Sequence, residues 1–187
     1  MYYILEKNPF PEPEPYRTRS MGWNKNLDDG KFIIGTQVPE TYDKPFEFEL
    51  WEYDKGSNGL AEFYYEDFPL MSDSLIEALK RAGVDNLQTF PAILKNIETK
   101  FETSAYKVVN VLGKLQAADM DASDYIDMGG TGLIAVGFKD LVIDESKTNN
   151  AKMFRLAESI TDVIIHESVK TVLEKSGFKY LRYLPCE

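Results

Sequence analysis

The chain has 187 residues, 43% hydrophobic and 28% charged, with 31 acidic residues against 21 basic and a formal net charge of −10. It is long enough to bury roughly 70% of the surface its unfolded form would expose, and its acidity argues against a general nucleic-acid binder, which presents a basic footprint. No apolar run approaches the ~18 residues of a membrane span, the start MYYILEKNPF lacks a secretory pattern, and the single cysteine, Cys186, allows no intrachain disulfide, so a cytoplasmic location is expected.

In chain order, PFPEPEP (Pro9 to Pro15) is excluded from helix and is expected to run extended, as a polyproline strap or a loose arm. KFIIGTQV (Lys31 to Val38) follows Asp29–Gly30, a tight-turn pair, and reads as a strand. FEFELWEY (Phe46 to Tyr53) alternates, with Phe46, Phe48 and Leu50 on one side and Glu47, Glu49 and Trp51 on the other. A period of two marks a strand with one buried face. LAEFYYEDF (Leu60 to Phe68) reads as a further strand, so residues 1–68 are expected to be a proline-rich arm and a β-rich part.

Residues 69–187 change character, within what is expected to be one domain. SDSLIEALKRAG (Ser72 to Gly83) spaces Leu75, Ile76, Leu79 and Ala82 as a helix does, with Ser74 and Glu77 as a capping box and Gly83 as terminator. LQTFPAIL reads as a strand whose Pro91 predicts an edge or a bulge. AYKVVNVLG, GLIAVGFKDLVID and MFRL add extended segments, and DVII leads into a second helix at His166.

A shift of 94 residues aligns Ser72–Pro91 with His166–Pro185 without a gap. The pairs Ser74/Ser168, Leu79/Leu173, Gly83/Gly177, Leu87/Leu181 and Pro91/Pro185 are identical. Each segment reads as a helix closed by glycine and followed by a strand. The fold class expected is α+β: a mixed or antiparallel sheet carrying two pseudo-repeated helix–Gly–strand units.

The alignment puts Ser72 where the only histidine, His166, stands, and Asp73 where Glu167 stands. Both pairs suit a helix start, a polar cap followed by an acid at the positive end of the dipole. A zincin motif needs a second histidine four residues on, where Lys170 stands. His166 with a nearby carboxylate remains as the enzymatic alternative. The glycines at 129, 130, 132 and 137 precede a strand and lack the lysine of a phosphate loop, so they read as a hairpin turn or a mobile loop. The run Asp119, Asp121, Asp124, Asp127 lacks the central Gly and terminal Glu of a calcium loop. Neither metal nor cofactor is expected.

Between Glu40 and Asp67 there are nine acids and two bases, and Trp51 and Tyr53 stand among the acids. Aromatic anchors amid carboxylates suit a surface for a basic protein partner. Glu47, Glu49, Trp51, Glu52 and Tyr53 are therefore the expected partner-binding residues.

From about Phe63 to Pro185, and most clearly from Tyr106 onward, the sequence resembles a bacterial immunity-protein family of polymorphic toxin systems, formerly a domain of unknown function. The resemblance rests on YKVVNV (Tyr106 to Val111), on Asp121 with Ser123, on Phe154–Arg155, and on the closing helix–Gly–strand. It implies a non-enzymatic protein that neutralises a cognate toxin, a basic one if charge steers the encounter, by steric and electrostatic blockade. Phe154 is then expected in the core and Arg155 beside a carboxylate. The rivals are the His166 enzyme and a scaffolding homo-oligomer joined through proline-flanked edge strands; nucleic acid and membrane are not expected partners.

Overall fold

The computed structural model describes residues 1–9, 11–53, 56–57, 59–129 and 136–187. It is α+β and mostly β, with mixed sheets and two helices.

The larger sheet has six strands. β2 (Arg17–Met21) runs antiparallel to β3 (Phe46–Trp51), and β3 runs parallel to β6 (Leu87–Asn96). Beyond β6 lie β7 (Phe101–Val111), β5 (Leu70–Ser72) and β4 (Phe63–Tyr64), each antiparallel to its neighbour. The second sheet has β1 (Tyr2–Lys7) between β12 (Val163–His166) and β13 (Leu181–Pro185), both antiparallel to it. It continues from β12 to β11 (Met153–Leu156), which runs parallel to β8 (Lys114–Leu115). A separate ribbon pairs β9 (Asp124–Asp127) with β10 (Val136–Asp140).

The helices are α1 (Asp73–Arg81) and α2 (Glu167–Lys175). Leu75, Ile76 and Leu79 of α1 join Val169 and Leu173 of α2 in one core with Val109 and Val111 of β7 and Val163 and Ile165 of β12. The helix pair thus ties one face of each sheet to the other. The opposite face of the large sheet buries an aromatic cluster, including Phe32, Phe46, Phe48, Phe68 and Phe90. The opposite face of the second sheet buries Tyr2, Phe154 and Ile164 with Ala117, Leu141 and Ile143.

The alternation read in Phe46–Trp51 is present: Phe46, Phe48 and Leu50 are buried while Glu47, Glu49 and Trp51 are half-buried. Several other expectations are corrected. Lys31–Val38 forms no strand: Asp28 accepts a hydrogen bond from Gly30 N at 3.0 Å and opens a short 3-10 turn over Asp29–Phe32. Beyond it, Gly35 takes a positive φ, and both backbone groups of Val38 bond to the side chain of Gln88, at 2.9 and 2.8 Å. An amide side chain here replaces a neighbouring strand. The strand expected over Leu60–Phe68 shrinks to the two residues of β4, because Glu66 instead accepts from the Thr18 hydroxyl and Asp67 from Ser20 N.

The cap of α1 is Ser72, whose Oγ accepts from Leu75 N at 3.2 Å, and not Ser74; Glu77 pairs with Lys80 at 2.9 Å. Pro91 lies in a central strand, not at an edge. β3 reaches β6 only from Ala92 onward and a register shift follows between Ala92 and Leu94, so Pro91 stands just beyond the β3 ladder. Over residues 11–15 the proline-rich segment is a strap, with Pro11 and Pro15 buried and bends at Glu12–Pro13, where the peptide is cis. Arg155 meets no carboxylate among the described residues: its guanidinium donates to the Ile160 carbonyl (3.0 Å), the Tyr65 hydroxyl (3.2 Å) and the Phe32 carbonyl (3.3 Å). Of the glycines weighed as a phosphate loop, Gly130 and Gly132 lie outside the described residues.

Cys186 is buried, and burial pushes its thiol up to about 12. A thiol that stays protonated and enclosed is a poor nucleophile. Alkylation at pH 8 is expected to be at least about 100-fold slower in the folded protein than in urea, followed by mass spectrometry; equal rates would show that the C-terminal strand opens freely.

Candidate binding surfaces

His166 is the last residue of β12 and the cap of α2. Its Nδ1 accepts from Ser168 N at 3.1 Å and lies 2.9 Å from Ser168 Oγ. The ring is half-buried and meets Tyr2 edge-on, with centroids 5.2 Å apart. No carboxylate hydrogen-bonds to it among the described residues, and the same residues hold no group of three or more His, Cys, Asp or Glu side chains arranged to bind a metal ion. The local geometry is that of a helix cap. Replacing His166 with alanine is expected to cost about 0.5–1 kcal/mol, and His166→Ser to restore it, since serine caps α1. Urea unfolding of the two variants measures this; a serine variant as weak as alanine would mean that the ring matters for more than its cap.

A cleft of about 450 Å³ opens between the sheets, lined by Val84, Asn86, Leu112, Lys152, Met153 and Phe154 among others. Two of its polar side chains are engaged: Asn86 Nδ2 donates to the carbonyls of Leu112 and Met153, and Lys152 Nζ to that of Ala82 at 2.9 Å, while Asp85 and Asn150 also line it. His166 does not line it. Among the described residues the cleft's lining holds one carboxylate, Asp85, and no histidine, cysteine, serine or threonine beside it.

The five residues expected from sequence to meet a partner fall together at β3 and just after it. Glu47 and Glu49 project from the face of the sheet opposite the aromatic cluster, but neither is a free charge. Glu47 accepts from Lys95 Nζ at 3.0 Å, a bond that holds the Lys95 ammonium above its usual range, and Glu49 pairs with Arg19 at 2.8 Å. Trp51 meets Tyr53 edge-on at 5.9 Å, and the Arg17 guanidinium lies 3.3 Å from the centre of the Tyr53 ring. Glu52 and Tyr53 are exposed. The partners Arg19 and Lys95 come from β2 and β6, so the run of acids counted along the sequence becomes a mixed-charge ladder once the sheet forms.

Two exposed apolar groups escaped the sequence reading. Ile97 and Phe101 stand at the β6–β7 turn, and Tyr125, Ile126 and Met128 lie along the β9 ribbon. Around β9 the sequence drew notice to the aspartates; the exposed Ile and Met between them were the signal.

The surfaces are those of a protein with an α+β scaffold and exposed aromatic, aliphatic and acidic side chains, and no helix among the described residues is long and apolar enough to cross a membrane. The chain belongs to the immunity protein family Imm11, whose family model matches residues 10–187. The match reaches well ahead of Phe63, so the proline-rich strap and the first strands of the large sheet belong to the family unit. No curated protein matches the sequence.

Proposed function

We propose that this protein binds a cognate bacterial toxin and neutralises it by steric and electrostatic blockade, without turnover, in the cytoplasm of a cell carrying a polymorphic toxin system. Membership of the immunity protein family over residues 10–187 carries the reading. A net charge of −10 supports a basic toxin as the partner, because complementary charge accelerates encounter at low salt. Glu47, Glu49, Trp51, Glu52 and Tyr53 form one proposed contact face. Its internal ion pairs mean that Glu52 and the two rings, more than Glu47 and Glu49, would supply the contact.

The 187 residues are further proposed to fold as one domain. In support, β1 from the N-terminus lies between β12 and β13, and α1 packs on α2. The two helix–Gly–strand segments are read as copies. Each helix leaves one strand and leads to a strand parallel to it, with a single antiparallel strand between: β7 in the first case, β1 in the second. Gly83 and Gly177 both take positive φ after their helices.

The test is co-expression with the toxin encoded beside this chain. Growth should be restored and a stoichiometric complex should copurify; continued toxicity with no complex would remove the reading.

A further inference from the structure

Among the described residues, three of the seven exposed large hydrophobic side chains lie within residues 125–128: Tyr125, Ile126 and Met128. They belong to the β9–β10 ribbon, in which every residue of β9 is exposed, unlike the alternating strands of the large sheet. The register explains the apolar ledge. Ile126 stands opposite Gly137, which has no side chain to cover it, and Met128 Sδ lies 3.6 Å from where a Gly137 Cβ would be. Asp124, Ile126 and Met128 share this face by strand alternation. On the other face Tyr125 leans on Phe138, with centroids 6.1 Å apart, and Phe138 packs against the core around Phe154.

The ribbon is held at its base. Asp119 N bonds to the Val142 carbonyl at 2.9 Å, Asp144 N to that of Ala117 at 2.9 Å, and Val142 N to Ser123 Oγ at 2.9 Å. A backbone held at its base in this way pays less ordering cost when a partner covers it. Along the ribbon and the turn before it the sequence carries Asp119, Asp121, Asp124, Asp127 and Asp140 against one lysine, Lys139, which pairs with Asp124 at 3.5 Å, and Asp140 stands opposite Asp124 in the register. Apolar anchors on a segment with this excess of acids favour a basic occupant. A second copy of this chain would bring the same negative charge, and an anionic membrane surface would be repelled too.

We infer that the β9–β10 ribbon is a toxin-contacting surface, with Ile126 and Met128 entering an apolar recess on a partner whose surrounding surface is basic. This rests on the toxin-binding reading above and adds to it a second site, separate in sequence from β3.

The experiment titrates the full-length protein against the catalytically inactivated toxin encoded beside it. The variants are Ile126→Ala with Met128→Ala, and Asp121→Asn with Asp140→Asn; the last two carboxylates make no hydrogen bond or ion pair among the described residues. The apolar pair should raise Kd at least about tenfold. The aspartate pair should slow association and flatten its salt dependence. Unfolding midpoints should match the unsubstituted protein, because these side chains are exposed. Binding by both variants within about twofold of the unsubstituted protein, while Tyr53→Ala weakens it, would overturn the ribbon site and leave the function standing. No complex with the unsubstituted protein would remove both.

Discussion

Replacing Arg155 with alanine is expected to cost about 3–5 kcal/mol of folding stability, the range for a fully buried, hydrogen-bonded charge left as a cavity. Arg155 is 0% exposed and is the bulkiest fully buried side chain. Among the described residues its charge is paired with no carboxylate but spread over two backbone carbonyls and a phenol, on Phe32, Ile160 and Tyr65. These acceptors come from three separate stretches of chain, so one side chain of β11 fastens the 3-10 turn beneath the large sheet to the loop before β12. Truncation would strip the Phe32 and Ile160 carbonyls of this donor and empty the space. Arg155→Met separates the two losses: it keeps most of the volume and relieves the buried charge, so it should cost about half as much or less. Equilibrium urea unfolding reads both. Equal losses would mean that the hydrogen bonds carry the effect and the volume none.

Arg155 also shows where sequence reasoning stopped. Phe154 and Arg155 are adjacent in a short extended segment, and the core position of Phe154 could be read there. The partners of Arg155 could not, because they are 5, 90 and 123 positions away and two of them are backbone carbonyls, which carry no residue signature. Local signals were legible wherever the physics is local. The period-two pattern of Phe46–Trp51 follows from one buried face. Gly83 and Gly177 end helices because a positive φ favours glycine, and Ser72 and His166 cap helices through bonds two or three residues long. The candidate surface was legible only in part. The acids and aromatic residues of the proposed face are neighbours in sequence, but the cations that meet Glu47 and Glu49 arrive from strands 48 and 30 positions away. On the β9 ribbon, the density of aspartates invited comparison with a metal loop, whereas the apolar ledge depends on Ile126 falling opposite a glycine, a fact of register.

The segment Lys31–Val38 was misread because its β-forming composition serves a different end, and that leads to the second large effect. Phe32→Ala is expected to cost about 3–5 kcal/mol, as for a buried phenylalanine truncated within a rigid core. Its ring is 0% exposed and meets Phe68, Phe90 and Phe46 edge-on, with centroids 5.2, 5.4 and 5.6 Å away. Such edge-on pairs add about 0.5–1.5 kcal/mol each to what burial alone provides. Among the described residues no strand ladder holds the turn Asp29–Phe32 in place, so the ring is a main anchor beside the Lys31–Glu40 pair and the Arg155 bond. The loss should therefore reach beyond the cavity. Detachment of the turn would withdraw the carbonyl that meets Arg155 and loosen the bonds between Val38 and Gln88. Two measurements follow from this. Hydrogen exchange at Val38 N should accelerate in Phe32→Ala more than at Val108 N in the central sheet. The double variant with Arg155→Ala should be less destabilised than the two single losses added together, by about 0.5–3 kcal/mol, because each removes part of the same link. Strict additivity, with Val38 still protected, would mean that the turn is held by contacts other than this ring.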